Sequence, residues 1–434
     1  MVERAFGAIA RAARSGVGGA RLAVSCTALL GVSALATAAQ AQTTIFDRDE
    51  NVPVLSRPHP EYQALGIREG PWTIYPKITL DVVYDDNIFA ASTGAQGDTF
   101  LVIQPQILVQ SNWSRNALSF EAGSTINEYA KHSSEDTTQY NVSGTGRLDI
   151  DRDMTLDGKL GYQSVIIPRT SAAYTELSIN PLQYQETAGD LSFVDIFNRI
   201  KLTVTTQAEH DVYLNGTVSG GAPLIENFRN NIHFGGLVRG DYAISPDIAL
   251  FLEENISEFH YDNLQNRDSW GTETLAGVNF QVTHLMTGEV GVGYLTETYE
   301  NPLDHNTGTF DARAQLQWFP TQLVTVTLSG TQALYDSGLI DSPAFLARSV
   351  QLQADYELLR NFVISARAGD AWDTYTGIDR RDNSFNAGIS FNYLLNRVVG
   401  LGLHYSRLTL VSSGLNRGQN FNDDRIGLAL TLQR

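Results

Sequence analysis

Eight histidines are spread along the chain, at His59, His132, His210, His233, His260, His284, His305 and His404. No two have metal-ligand spacing, and no Gly-x-Ser-x-Gly turn supplies a nucleophile. His210 stands beside Asp211 and His260 near Asp262, pairings suited to general acid–base work. Asp85, Asp86 and Asn87 could hold a cation, but a calcium loop needs ordered spacing such as Asp-x-Asp-x-Asp-Gly. Adjacent residues send alternate side chains apart. These three therefore read as loop-shaping residues, with Asn87 hydrogen-bonding local backbone. Cys26 is the only cysteine, which leaves no disulfide framework. No catalytic site, metal site or cofactor is expected.

Charged residues recur instead at alternate positions inside apolar stretches. They are Asp81, Glu121, Arg147, Asp157, Lys159, Lys201, Glu209, Arg239, Glu253, Glu273, Arg313, Asp355 and Arg367. A β-strand turns successive side chains to opposite faces, so period two means one apolar and one polar face. The first stretch sets Trp72, Ile74, Pro76, Ile78, Leu80, Val82 and Tyr84 on one face. Tyr75, Lys77, Thr79, Asp81 and Val83 fall on the other. Similar stretches follow to residues 426–432 and bring the count to about 18. The stretch at 184–197 is the least regular, because Asp195 falls among Leu191, Phe193 and Phe197. Glu128 and Glu254 fall on the apolar face, which calls for a bulge or a position above the bilayer.

The connections alternate in length. Short turns fall at Asn112-Trp113-Ser114-Arg115, Asp151-Arg152-Asp153, Asn198-Arg199 and Ser245-Pro246-Asp247. Others are Thr283-His284, Phe319-Pro320-Thr321, Leu359-Arg360-Asn361 and Asn396-Arg397. Polar loops of roughly eight to twenty residues lie between them, the pattern of an outer-membrane barrel. A soluble β-sandwich has no reason to put every tight turn on one side. A propeller blade holds four strands in the length that here holds two long ones. Strands of this length suit a tilted bilayer crossing. The expectation is an all-β, transmembrane antiparallel β-barrel with short periplasmic turns and longer extracellular loops. Trp72, Trp318, Phe319 and Tyr393 would form an aromatic girdle at the tight-turn end, and Tyr84, Tyr162, Tyr294 and Tyr405 one at the long-loop end.

Residues 1–41 have the layout of a cleaved signal peptide: a basic start, an apolar run and Ala39-Gln40-Ala41. They carry four arginines and one glutamate, so removing them takes the net charge from −18 to −21. So acidic a chain repels phosphate, and nucleic acid is not an expected partner. Residues 42–71, with Pro53, Pro58, Pro60 and Pro71, read as a periplasmic leader, and 72–434 as the barrel.

Several short stretches carry a resemblance. They are Arg57-Pro58-His59-Pro60-Glu61-Tyr62, Gly66-Ile67-Arg68 and Tyr84-Asp85-Asp86-Asn87-Ile88-Phe89. Pro105, Ser111 to Arg115 with Ala117-Leu118, and Tyr140 through Arg147 to Ile150 add to it. On these the chain resembles the putative β-barrel porin 2 family of alphaproteobacterial outer-membrane proteins. The resemblance implies an outer-membrane barrel in a Gram-negative bacterium and fixes no solute. The tail from Arg425 to Leu432 resembles the signal read by the barrel-assembly machinery, without the usual terminal aromatic.

The charges at alternate positions would line a water-filled lumen. The function expected is passive diffusion of hydrophilic solutes, with a mild cation preference. A dedicated conduit for exopolysaccharide, working with a periplasmic polysaccharide-export complex, is the alternative. A plugged structural or adhesive barrel is a third. Outer-membrane lipid and lipopolysaccharide would surround it.

Overall fold

The structure, a computed structural model, describes residues 51–174, 178–262, 267–283 and 285–434. The expected signal peptide and His284 lie outside the described residues.

Eighteen strands form the wall. The first six are β1 (Trp72–Asp85), β2 (Asp98–Ser111), β3 (Ala117–Tyr129), β4 (Thr137–Asp149), β5 (Met154–Ile167) and β6 (Leu182–Phe197). Next come β7 (Ile200–Tyr213), β8 (Asn231–Ser245), β9 (Ile248–Tyr261), β10 (Ser269–Val282), β11 (Met286–Tyr299) and β12 (Thr307–Thr321). The last are β13 (Val324–Leu339), β14 (Ser342–Leu359), β15 (Phe362–Tyr375), β16 (Arg381–Leu394), β17 (Val399–Ser413) and β18 (Phe421–Gln433). Each pairs antiparallel with the next, and β18 pairs with β1. Closure gives every wall strand a partner on both sides, which a bilayer demands.

The parity read from the sequence decides which face meets lipid. Val82, Leu160, Leu191, Leu252, Tyr294, Phe310 and Leu428 are all exposed on the outer face. Trp72, Trp113 and Phe120 cluster at the tight-turn end of that face, with ring centroids 5.6 and 6.2 Å from Trp72. Phe319 does not join the girdle: it is 2% exposed. The register shifts between Trp318 and Thr321, so Phe319 and Pro320 belong to the end of β12 rather than to a turn. A bulge is where a strand tolerates proline. Glu254 needs no bulge, because β9 pairs in regular register around it. It faces outward in mid-strand and accepts a 2.6 Å hydrogen bond from Thr274 Oγ1. Glu128 is exposed one residue from the outer end of β3.

The short connections fall at one end and the longer ones at the other, with one exception. Between β13 and β14, where a long polar loop is expected, two residues turn the chain. Both strands run on past the wall instead, and the register shifts between Asp336 and Leu339, where Gly338 has φ of +67°. Leu334, Ala344 and Leu346 are buried there against Tyr299. Apolar residues that can bury against other loops have no need of a polar one.

Asp85, Asp86 and Asn87 shape a loop, and they also fasten the barrel's seam. Asp85 Oδ1 accepts the Asn87 amide at 2.7 Å, and Asp85 pairs with Arg425 of β18 at 2.9 Å. Asp86 Oδ1 accepts the Asp424 amide at 2.8 Å. The Asn87 side chain donates to Ala91 O at 3.0 Å and Asn422 O at 2.8 Å, and accepts from the Ala91 amide at 2.9 Å. Asn87→Ala strips three partners from a buried turn, at about 1–3 kcal/mol for each group left unpaired. The expected result is a lower temperature for the heat-induced mobility shift of the folded barrel on a gel.

Candidate channel interior

The inward face holds the expected charges, and most of them are paired. Arg239 of β8 reaches three carboxylates: Asp241 at 2.8 Å, Glu253 of β9 at 3.1 Å and Glu289 of β11 at 2.7 Å. Its guanidinium lies 4.0 Å from the Phe251 ring centroid. Arg313 of β12 binds Glu253 at 2.9 Å and stands 3.7 Å from Glu289. Asn255 donates to Glu253 and to Glu273, at 3.0 and 2.5 Å. Side chains from β8 and β11 meet although two strands lie between them, so the wall curves tightly there. Of the expected residues, Arg239, Glu253, Glu273 and Arg313 come together. Glu289 and Asp241 complete the group, and their parity on β11 and β8 is the signal that could have found them.

The other expected residues are spread around the wall. Asp81 lies 3.6 Å from His404. Gly427 makes room for that imidazole, because a β-carbon there would overlap the His404 ring. Glu121 accepts from Gln106 at 2.8 Å, and Asp355 from Gln353 at 3.0 Å. Arg147 binds Asp149 at 2.8 Å and sits opposite Asp157 in the ladder. Lys159 lies opposite Asp190, and Lys201 opposite Asp241. Arg367 lines the vestibule described below. Alternation puts His210 and Asp211 on opposite faces, so the rim pair imagined from sequence does not form. His260 lies between Glu258 at 3.0 Å and Asp268 at 3.3 Å rather than by Asp262.

Loops fold over the outer mouth. Residues 168–174 lead out of β5, and the Ala172 carbonyl accepts a 3.0 Å bond from Tyr375 of β15. β15 stands ten strands on from β5 in a ring of eighteen, so this loop crosses the lumen. Its base is held by Arg169, which grips Glu135 with two hydrogen bonds of 2.6 and 2.7 Å. Arg169 also donates to the Tyr174 hydroxyl at 2.7 Å. Burial pushes that hydroxyl's pKa up, so it stays protonated and donates in turn to Ser178 O. Asp336, at the outer end of β13, binds Arg229 at 2.9 Å and Arg267 at 3.2 Å. Arg229 reaches the Ala173 carbonyl at 3.3 Å, and Arg267 the Ser342 carbonyl at 2.7 Å. One carboxylate thus ties together three loops and the β13–β14 hairpin. Beneath them is a vestibule of about 840 Å³, lined from Thr125 of β3 round to Arg425 of β18.

The leader runs along one side of the inner mouth. A single turn, Val54–Ser56, presents the Val54 amide to Thr325 Oγ1 at 3.0 Å, and Val54 is 1% exposed. Arg57 binds Glu357 at 2.7 Å. Thr325 and Glu357 face inward on β13 and β14. Arg397, in the turn between β16 and β17, donates to Pro60 O at 3.1 Å. Ile67–Glu69 then pairs with the start of β1. Residues 51–69 therefore span the inner ends of β13 to β18 before the wall begins.

Comparison with known proteins follows this geometry. The chain is similar in fold to several solved structures, each at low identity. One is Pseudomonas aeruginosa OpdK with vanillate, at 11% identity and TM-score 0.45, over 83% of this chain and 99% of that one. Another is Pseudomonas aeruginosa OccK2 (OpdF), at 10% and 0.47, over 85% and 99%. Acinetobacter baumannii OccAB3 is similar at 11% and 0.46, over 83% and 99%. No curated protein matches the chain. The family model for putative beta-barrel porin 2 matches residues 59–434. That match spans most of the chain, so the protein belongs to this family and is a porin-like β-barrel of the Gram-negative outer membrane.

Proposed function

We propose that the protein is a passive channel for small hydrophilic solutes that favours cations. The observation that carries this is the vestibule. Its walls hold Glu186, Glu209, Asp211, Asp373 and Asp423 against Arg229, Arg367 and Arg425. A lumen lined by an excess of one sign concentrates ions of the other. Loops across one mouth and a leader along one side of the other leave room for small solutes rather than a polymer strand. This supports the diffusion channel over an exopolysaccharide conduit. A porin fold and a charged, wet interior likewise point to a channel rather than an enzyme.

Purified protein in a planar bilayer tests the reading. Discrete conductance steps are expected. Under a salt gradient the reversal potential should move toward the cation's equilibrium value, and more weakly at high salt, where screening shortens the reach of wall charges. A barrel that inserts without conducting would instead favour a plugged structural role. A reversal potential on the anion side would remove the cation preference.

A further inference from the structure

Three carboxylates in the vestibule lack the arginine partners that Asp241, Glu253 and Glu289 have. Glu186 of β6 stands opposite Asp211 of β7 in the ladder, and Glu209 lies one same-face position before Asp211. One carboxylate oxygen from each lies within 4.8 Å of the others. Asp211 is 8% exposed, and its Oδ1 is buried with no hydrogen-bond partner. Glu186 accepts one bond, from Gln163 at 2.8 Å. Arg229, which lines the same vestibule, is already committed: it binds Asp336 and stacks 4.2 Å from the centroid of Tyr213.

Like charges set directly opposite destabilise a sheet. A buried carboxylate oxygen without a donor adds its own cost. The group at Arg239 and Arg313 shows how this wall otherwise neutralises clustered acids. We propose that Glu186, Glu209 and Asp211 bind a divalent cation, with Ca²⁺ the best fit. Calcium takes 6–8 oxygen ligands in flexible geometry and accepts several carboxylates, whereas Mg²⁺ demands a tighter octahedron and keeps its waters. Three carboxylates on two adjacent strands supply part of that shell, and water in the vestibule supplies the remainder. Asp211 lies two residues before the end of β7, so the ion sits just under the 214–230 loop, facing the lumen. The site stands whether or not the channel conducts.

Calorimetry of the folded barrel in detergent, titrated with CaCl₂, is the direct test. One saturable Ca²⁺ per chain is expected. The Glu209→Gln/Asp211→Asn double variant, checked as folded by its heat-induced mobility shift, should weaken binding at least tenfold. Tyr184 and Tyr213 face the same side next to the three acids, so Tb³⁺ bound to the wild type should emit when tyrosine is excited, and Ca²⁺ should quench that emission by displacement. The proposal is overturned if the wild type shows neither saturable Ca²⁺ binding nor Ca²⁺-displaceable emission, or if the folded double variant binds as the wild type does.

Discussion

Arg229→Ala is expected to raise single-channel conductance several-fold without unfolding the barrel. The guanidinium is 2% exposed and touches Asp336, Glu226, the Ala173 carbonyl and the Tyr213 ring. Truncating it removes the Glu226 ion pair and leaves Asp336 to Arg267. Removing one partner from a buried pair costs about 3–5 kcal/mol. The wall does not bear this cost, because its strand ladder is closed and Arg229 acts only at its outer end. The loops do, since they open locally at lower free energy than the core. The crossing loop then loses its tie to the β13–β14 hairpin and swings from the mouth. Arg229→Lys should fall between, keeping the charge but losing the planar fork that reaches several partners. Conductance unchanged in the alanine variant would mean that the Tyr375 and Arg169 contacts hold the loop by themselves.

The second large effect is at the opposite mouth. Deleting residues 51–58 is expected to raise conductance by exposing Thr325 and Glu357 to the lumen. Point variants separate the strap from its charge. Arg57→Glu sets two carboxylates together where one ion pair stood at 2.7 Å and should open the inner mouth nearly as well as the deletion. Adding Glu357→Arg reverses both charges and should restore the wild-type conductance. Bilayer recordings of the four proteins give the comparison. If the deletion conducts like the wild type, the leader lies outside the ion path.

The wall was legible in the sequence because period two and lipid exposure impose the same pattern on every strand. Each of the eighteen stretches became a strand, including the one disturbed by Asp195, which stays on the outer face with Leu191 and Phe197. The covers at the two mouths were not legible. Arg229 and Asp336 lie 107 residues apart, and Val54 and Thr325 lie 271 apart. No local pattern links such partners. The two-residue turn after Leu339 was hidden for a related reason: Leu334 and Leu346 look like loop residues until Tyr299 is placed beside them. Within the lumen, parity gave the facing but not the company. It put Arg239, Glu253 and Arg313 inward, but only the tight curvature between β8 and β12 makes them one group.

The leader's seat also imposes an order in time. Val54 and Arg57 leave the ribosome long before the residues that receive them, and Thr325 and Glu357 offer a surface only once β13 and β14 stand side by side. Until then the strap has nowhere to dock, and the growing sheet stays open to the periplasm. The inner mouth can shut only when most of the wall has been laid, so closure is the last thing these early residues do.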